Sequence, residues 1–228
     1  MTKVFPNNVY ARLNTTPCSP VDGNGNGNAA ILTVWKKSLL LNCSGFTVFD
    51  CKGNLVFRVD NYMAGNKGEI VLMDAAGKPL LTIRRKRLSL GDNWLVYDGE
   101  SAVNPRFLVR KLMNILNTKC LAQVSSGGNS NNVNDDRSGS TGASSSSSSK
   151  NVLYQIEGSY TQRCCAVLDK KRRRVAEIQR KEAVGGVAFG VDVFRLVVQP
   201  EMDAPLAMAL VLLLDQMFGS SRRLSLSH

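Results

Sequence analysis

Asp74-Ala75-Ala76-Gly77-Lys78-Pro79-Leu80-Leu81-Thr82-Ile83-Arg84-Arg85-Lys86 places an Asp-x-x-Gly turn directly ahead of a strand-like run. The pattern returns at Asp169-Lys170-Lys171-Arg172-Arg173-Arg174-Val175-Ala176-Glu177-Ile178-Gln179-Arg180-Lys181, where Asp, Ile, Arg and Lys coincide without a gap. Upstream, Val56-Phe57-Arg58-Val59-Asp60 answers Leu153-Tyr154-Gln155-Ile156-Glu157 after a two-residue change in length. Self-similarity of this kind predicts two related halves. Neither half closes by itself, so the two are expected to build one sheet system together.

Around this repeat run further short apolar stretches: Ile31 to Trp35, Gly45 to Asp50, Leu55 to Asp60, Glu69 to Met73, Leu80 to Lys86 and Trp94 to Tyr97. A second Asp-x-x-Gly turn at Asp50 to Gly53 links two of them, so antiparallel hairpins are the natural reading. Phe46, Val48 and Asp50 alternate against Thr47 and Phe49, which predicts one packed and one wetted face. Side chains two apart share a strand face, so Ile83 goes with Arg85 and Ile178 with Arg180, while Lys86 and Lys181 point the other way.

The C-terminal region carries the other strong signal. Asp203 is placed to cap a helix, Pro205 fits its first turn, and Gly219 is placed to stop it. Between them, Leu206, Met208, Leu210 to Leu214, Met217 and Phe218 cover every side. A helix apolar all round must be buried, and this one is shorter than the ~20 apolar residues that cross a bilayer. A sheet closed around it would bury it and remove exposed edges together.

The remaining segments read as loops. Residues 1–30 form a flexible N-terminal segment whose run Gly23 to Asn28 lacks the Gly-Lys-Ser/Thr of a phosphate cradle. Residues 125–150 are Ser, Asn and Gly with almost no apolar side chain, expected as a disordered insertion within the single domain 31–218. A linker between two domains is the alternative, and the duplication argues for the insertion. Residues 219–228 form a flexible basic tail.

Composition excludes several chemistries. The hydrophobic fraction of 43% supports an ordinary core in a chain of 228 residues. The only histidine is His228, no Cys-x-x-Cys pair occurs, and no nucleotide fingerprint is present. A catalytic triad, a zinc site and a bound cofactor are therefore not expected. Cys18, Cys43, Cys51, Cys120, Cys164 and Cys165 are scattered, which fits reduced thiols, with adjacent Cys164 and Cys165 on opposite faces of a strand. Met1 to Tyr10 lack a secretory pattern, so an intracellular protein is expected. A formal charge of +11 argues for an anionic partner.

Taken together, these residues resemble the LURP-one-related family of plants, within the superfamily that joins the tubby C-terminal domain and the phospholipid scramblases. The resemblance is carried by Phe46-Thr47-Val48-Phe49-Asp50-Cys51-Lys52-Gly53-Asn54-Leu55, by Val59-Asp60-Asn61-Tyr62, by Asp74 to Lys86 with its duplicate Asp169 to Lys181, and by the helix Pro205 to Phe218. It spans Ile31 to Phe218 apart from the serine-rich loop. It implies a mostly β fold: a single closed, twelve-stranded, antiparallel tubby-like barrel around a buried C-terminal hydrophobic helix. It also implies a link with plant defence and no catalytic residues. Tubby domains bind membrane phosphoinositides through basic residues and act as membrane-tethered regulators of transcription.

Two functional readings follow. In the first, a non-enzymatic module meets anionic phospholipid headgroups at the cytoplasmic face of the plasma membrane through Arg84, Arg85, Lys86, Arg87, Arg180 and Lys181. In the second, the run Lys170, Lys171, Arg172, Arg173 and Arg174 is a nuclear-import signal, and the protein is a regulator acting through protein partners not yet identified. Direct sequence-specific DNA binding is not expected, because no recognition helix, zinc finger or stacking platform accompanies the basic run.

Overall fold

A computed structural model describes residues 28–40, 44–60, 69–86, 92–101, 103–112, 119–127, 151–182 and 189–219. Residues 1–27, 128–150 and 220–228, to which the N-terminal, most of the serine-rich and the tail readings apply, lie outside the described residues, as does Arg87.

Twelve strands follow one another: β1 (Ala30–Trp35), β2 (Phe46–Phe49), β3 (Leu55–Val59), β4 (Glu69–Asp74), β5 (Pro79–Arg85), β6 (Asn93–Asp98), β7 (Phe107–Lys111), β8 (Cys120–Ser126), β9 (Val152–Ser159), β10 (Cys164–Asp169), β11 (Arg174–Arg180) and β12 (Val193–Val198). Each pairs antiparallel with its chain neighbours, and β1 pairs with β12 through Leu32↔Leu196 and Val34↔Phe194, which closes the barrel. Closure leaves no edge strand to template aggregation. Alternate side chains such as Val34, Val48, Leu72, Ile83, Val96, Val109, Ile156, Ile178 and Phe194 point inward and are fully buried.

The space they enclose is filled by α1 (Ala204–Phe218). Leu206 to Leu214 are all at most 2% exposed, so every face of the helix meets the barrel wall. Full burial of a leucine is worth about 1.5–3 kcal/mol, and this stack of apolar residues fixes the barrel around its axis. The helix ends differ from the sequence reading. Asp203 occupies the N-cap position with extended backbone but makes no capping hydrogen bond, and its carboxylate lies 3.7 Å from Arg106 instead. Gly219 does stop the helix, yet with extended rather than left-handed backbone; its N–H donates to Asp215 O at 2.8 Å, where a Cβ would crowd that carbonyl.

The repeat appears as backbone geometry. Gly77 N–H donates to Asp74 O at 3.1 Å, and Arg172 N–H donates to Asp169 O at 2.9 Å. Both turn residues have positive φ, 89° and 63°, and a one-residue register shift lies beside each turn, between Leu72 and Met73 and between Val167 and Leu168. Asp50 to Asn54 builds a third copy, with the Asp50 carboxylate accepting the N–H groups of Lys52 and Asn54, each at 2.8 Å. Burial pushes the Asp50 carboxyl up, but hydrogen bonds from Asn54 and Lys52 outweigh it and hold the group below its ordinary range. One strand face departs from simple alternation: outward Thr47 is buried, so that face of β2 is covered rather than wetted.

Candidate membrane-facing site

Antiparallel order gives the barrel two poles. Odd-numbered strands end at the pole that holds the C-terminus of α1, as the contacts of Lys36 and Lys111 with that end of the helix show: Lys36 Nζ donates to Asp215 Oδ1 at 3.0 Å and Lys111 Nζ to Met217 O at 2.9 Å. Both cations neutralise the negative end of the helix dipole. The hairpin turns at Asp50, Asp74 and Asp169 crown the opposite pole, one strand length or about 20 Å away.

The basic residues singled out by the sequence divide between these poles. Arg84, Arg85, Lys86, Arg180 and Lys181 all stand at the helix C-terminal pole, but β5 and β11 are six strands apart either way around the barrel. Repeat mates in a closed barrel must lie across it from one another, so the two basic groups face each other over the mouth and do not merge. Arg84 donates to Glu69 Oε2 at 2.8 Å and lies over the Tyr97 ring, while Arg85 pairs with Asp92. Lys86 and Arg180 are exposed. Lys181 is half-buried, with Nζ 3.4 Å from Thr33 Oγ1 and 4.9 Å from the Phe189 ring centre; burial, then Arg195, lowers its pKa.

Lys170 to Arg174 occupy the opposite pole as a tight turn. Arg172 pairs with Glu157 at 2.7 Å, Arg173 with Asp169 at 2.7 Å and Arg174 with Glu177 at 3.5 Å, so each of these three arginines has an acidic partner within the chain. Lys170 and Arg172 also line a surface cleft of about 310 Å³ beside Tyr154 and Gln155, where Gln155 Oε1 already takes an Arg172 N–H at 3.0 Å.

Two groups at the mouth escape the sequence reading. Asp215 is the one charged residue of a mostly apolar helix, only 6% exposed, and it accepts hydrogen bonds from Lys36 and from Tyr160 Oη at 3.0 Å. A buried carboxylate needs such partners, and its isolation among leucines is the signal available in the sequence. Burial, reinforced by the Asp215 charge, raises the Tyr160 pKa well above its ordinary value. Arg163 is also buried, stacked 4.1 Å from the Tyr160 ring centre and 4.4 Å from that of Phe194, with Nε donating to Val191 O at 2.8 Å.

The second group is apolar. Six large apolar side chains are markedly exposed among the described residues, and five of them stand at this same pole: Trp35, Phe189 and Val191 flank the junction of β1 and β12, while Leu39 and Leu40 follow Ser38, whose hydroxyl donates to Asp60 O at 3.0 Å beyond the end of β3. Lys37 Nζ sits 4.9 Å over the Trp35 ring. Sequence reading places Trp35 and the cations but has no means of bringing Trp35 and Lys36 beside Asp192 and Val193, which barrel closure joins, with Lys36 N–H donating to Asp192 O at 2.7 Å.

The thiols match their expected placement: Cys164 is exposed and Cys165 buried, and burial, with Cys164 adding, pushes the Cys165 thiol up to about 12. Among the described residues no cluster of His, Cys, Asp and Glu could hold a metal ion, and no helix is long and apolar enough to cross a membrane.

Such an arrangement, a closed antiparallel barrel of twelve strands around one C-terminal helix, defines the class of protein. A sequence model described as LURP-one-related matches residues 30–215, and the chain belongs to that family. It is 54% identical over 197 residues to Protein LURP-one-related 8 of Arabidopsis thaliana, covering 85% of this chain and 89% of that one. Protein LURP-one-related 17 of the same plant is 44% identical over 207 residues, covering 85% of each. An X-ray structure of an Arabidopsis thaliana protein shares the fold with a TM-score of 0.55 and 22% identity, over 82% of this chain and 90% of that one.

Proposed function

We propose that this chain is a non-enzymatic regulatory module of plant cells, related to defence, that docks reversibly on anionic membrane lipid, phosphoinositide included, through the helix C-terminal pole. The observation that carries this reading is that exposed Lys37, Lys86, Lys119 and Arg180 share one end of the closed barrel with five exposed apolar side chains, whereas exposed Lys52, Lys78, Lys170 and Lys171 at the other end have only Val103 among the described residues. Lysine and arginine near an anionic surface each contribute about 1 kcal/mol, and the attraction falls away within a Debye length of ~8 Å. A single pole can meet a flat bilayer, whereas residues 170–174 then face the cytoplasm. The internal pairing of Arg172, Arg173 and Arg174 makes nuclear import the weaker alternative.

The test is co-sedimentation with phosphatidylcholine vesicles carrying phosphatidylserine, with and without phosphatidylinositol bisphosphate. Arg84 and Lys181 are poor sites for charge reversal because one pairs with Glu69 and the other is half-buried. Lys86→Glu with Arg180→Glu should weaken binding by about tenfold or more, since each reversal removes one attraction and adds a repulsion. Lys170→Glu with Lys171→Glu, at the far pole, should leave it unchanged. Equal losses from both pairs, or no binding by the parent protein at low salt, would refute docking through this pole.

A further inference from the structure

The five exposed apolar side chains at the helix C-terminal pole are at odds with a purely electrostatic contact. Trp35, Leu39, Leu40, Phe189 and Val191 are each 39 to 51% exposed, Trp35 pointing outward as the last residue of β1 and the other four lying in the segments beyond the strand ends. Among the described residues their counterpart at the opposite pole is Val103 alone. Isolated surface leucines need no explanation, but five large apolar side chains exposed around one pole mark a surface that is covered in use.

Its composition indicates the cover. Both aromatic residues carry a lysine over the ring, Lys37 on Trp35 and Lys181 on Phe189, each at 4.9 Å. Cation and aromatic pairs at the tip of a protein match the boundary between headgroups and acyl chains, where indole rings settle and lysine stems reach up to phosphate. An apolar protein partner would satisfy the leucines but not the lysines over the two rings, and a soluble anion would satisfy the lysines but not the leucines. An anionic bilayer satisfies both.

We propose that residues Trp35 to Leu40 and Phe189 to Val191 form a wedge that inserts into the interfacial layer of an anionic bilayer, tilting the barrel so that the sector from β12 through β1 to β3 lies deepest. This rests on the docking reading above and goes further: it fixes which sector enters and makes part of the binding apolar and therefore resistant to salt. The β5 side of the mouth, across the barrel, then meets headgroups only.

The chain has two tryptophans, exposed Trp35 and buried Trp94, so Trp94→Phe leaves Trp35 as the sole reporter. With phosphatidylcholine–phosphatidylserine vesicles, Trp35 emission should shift to the blue and be quenched by lipids brominated on the acyl chain. Neither change should occur in Trp35→Ala, which retains Trp94. The triple variant Leu39→Ser, Leu40→Ser, Phe189→Ser should bind more weakly by about tenfold or more, with an unchanged thermal melt because these side chains are exposed. Its residual binding should vanish at high salt while part of the parent's persists. Salt-labile parent binding with no Trp35 quenching, and a triple variant that binds like the parent, would overturn the wedge and leave electrostatic docking standing. No vesicle binding by the parent would overturn both. A parent that dimerises in solution while the triple variant stays monomeric, without Trp35 quenching, would assign the patch to a second copy of the chain and also overturn the wedge.

Discussion

The two halves of the barrel, β1–β6 and β7–β12, share a turn design yet differ at their rims. Asp74 to Lys78 and Asp169 to Arg173 make the same turn, with the same hydrogen bond across it and a register shift beside it. At the other end of the same hairpins the likeness stops: Arg85 is tied to Asp92, whereas Arg180 is exposed beside a Lys181 that leans on Phe189. Turn geometry answers to backbone hydrogen bonding, which both halves must satisfy in the same way. Rim side chains answer to solvent and to whatever covers them, so duplicated strands can acquire different surfaces without disturbing the barrel. The helix breaks the two-fold relation further, because one element fills a space between two related halves and its Asp215 carboxylate is held by Lys36 and Tyr160.

The largest effect should come from that unduplicated helix. Leu212 is fully buried, and Leu212→Asp would place a charge where the wall offers carbon. The cost should be several kcal/mol, enough to give insoluble protein or a collapse of the melting temperature. Leu212→Met conserves volume and should cost under about 1.5 kcal/mol. A soluble aspartate variant with the parent's melt would mean that the helix is not enclosed.

How far the sequence is legible follows the same division. Hairpin turns, the repeat and the helix announce themselves because their signals are local: an Asp-x-x-Gly, a coincidence of Ile and Arg, an unbroken apolar run. Strands such as Phe107–Lys111 and Val193–Val198 carry no such turn, and their number comes from family resemblance rather than from spacing. The mouth is least legible. Lys36, Tyr160, Arg163 and Asp215 are separated by up to 179 positions in sequence and meet only because the sheet closes around the helix. Arg85 and Arg180 read as equivalent in the sequence, but equivalence in a closed twelve-stranded barrel means opposite sides, which no linear alignment displays.

A smaller effect should distinguish the two copies of the turn. Gly77 has φ of 89° and nothing within 4 Å of where a Cβ would be, so Gly77→Arg meets no clash and incurs only the left-handed backbone penalty. That is about 1–2 kcal/mol, or roughly 3–6 °C in melting temperature for a chain of this length. Arg172 already stands in that conformation at φ 63° and offsets it through its hydrogen bonds with Gln155 and Glu157. Arg172→Gly relieves the backbone and removes those hydrogen bonds together, so its melt should stay close to the parent's. Equal and opposite shifts from the two variants would show that the side chain of Arg172 contributes nothing.

The smallest effect is expected where the halves differ most in length. By the repeat, β8–β9 corresponds to β2–β3, in which Asp50–Asn54 supplies five residues between Phe49 and Leu55. In β8–β9 the corresponding connection runs from Ser126 to Asn151, between the paired residues Ser125 and Val152, with a register shift between Val124 and Ser125 like the one between Val48 and Phe49. Ser126 still pairs with Phe107, and Gly127 N–H donates to Arg106 O at 2.9 Å where a Cβ would lie 1.9 Å from Pro105 O, so both are kept. Replacing residues 128–150 with a lysine–glycine pair leaves a five-residue connection that ends, like Lys52-Gly53-Asn54, in lysine, glycine and asparagine. Loop-closure entropy favours the shorter chain by at most about 1.4 kcal/mol, and the strain of imposing a defined turn works against that gain. The melting temperature should therefore stay within about 3 °C of the parent's, and vesicle binding should be unaffected because the connection leaves the pole opposite the mouth. A fall well beyond that range would show that residues 128–150 take part in the folded barrel, and the likeness between β8–β9 and β2–β3 would then extend only to their paired strands.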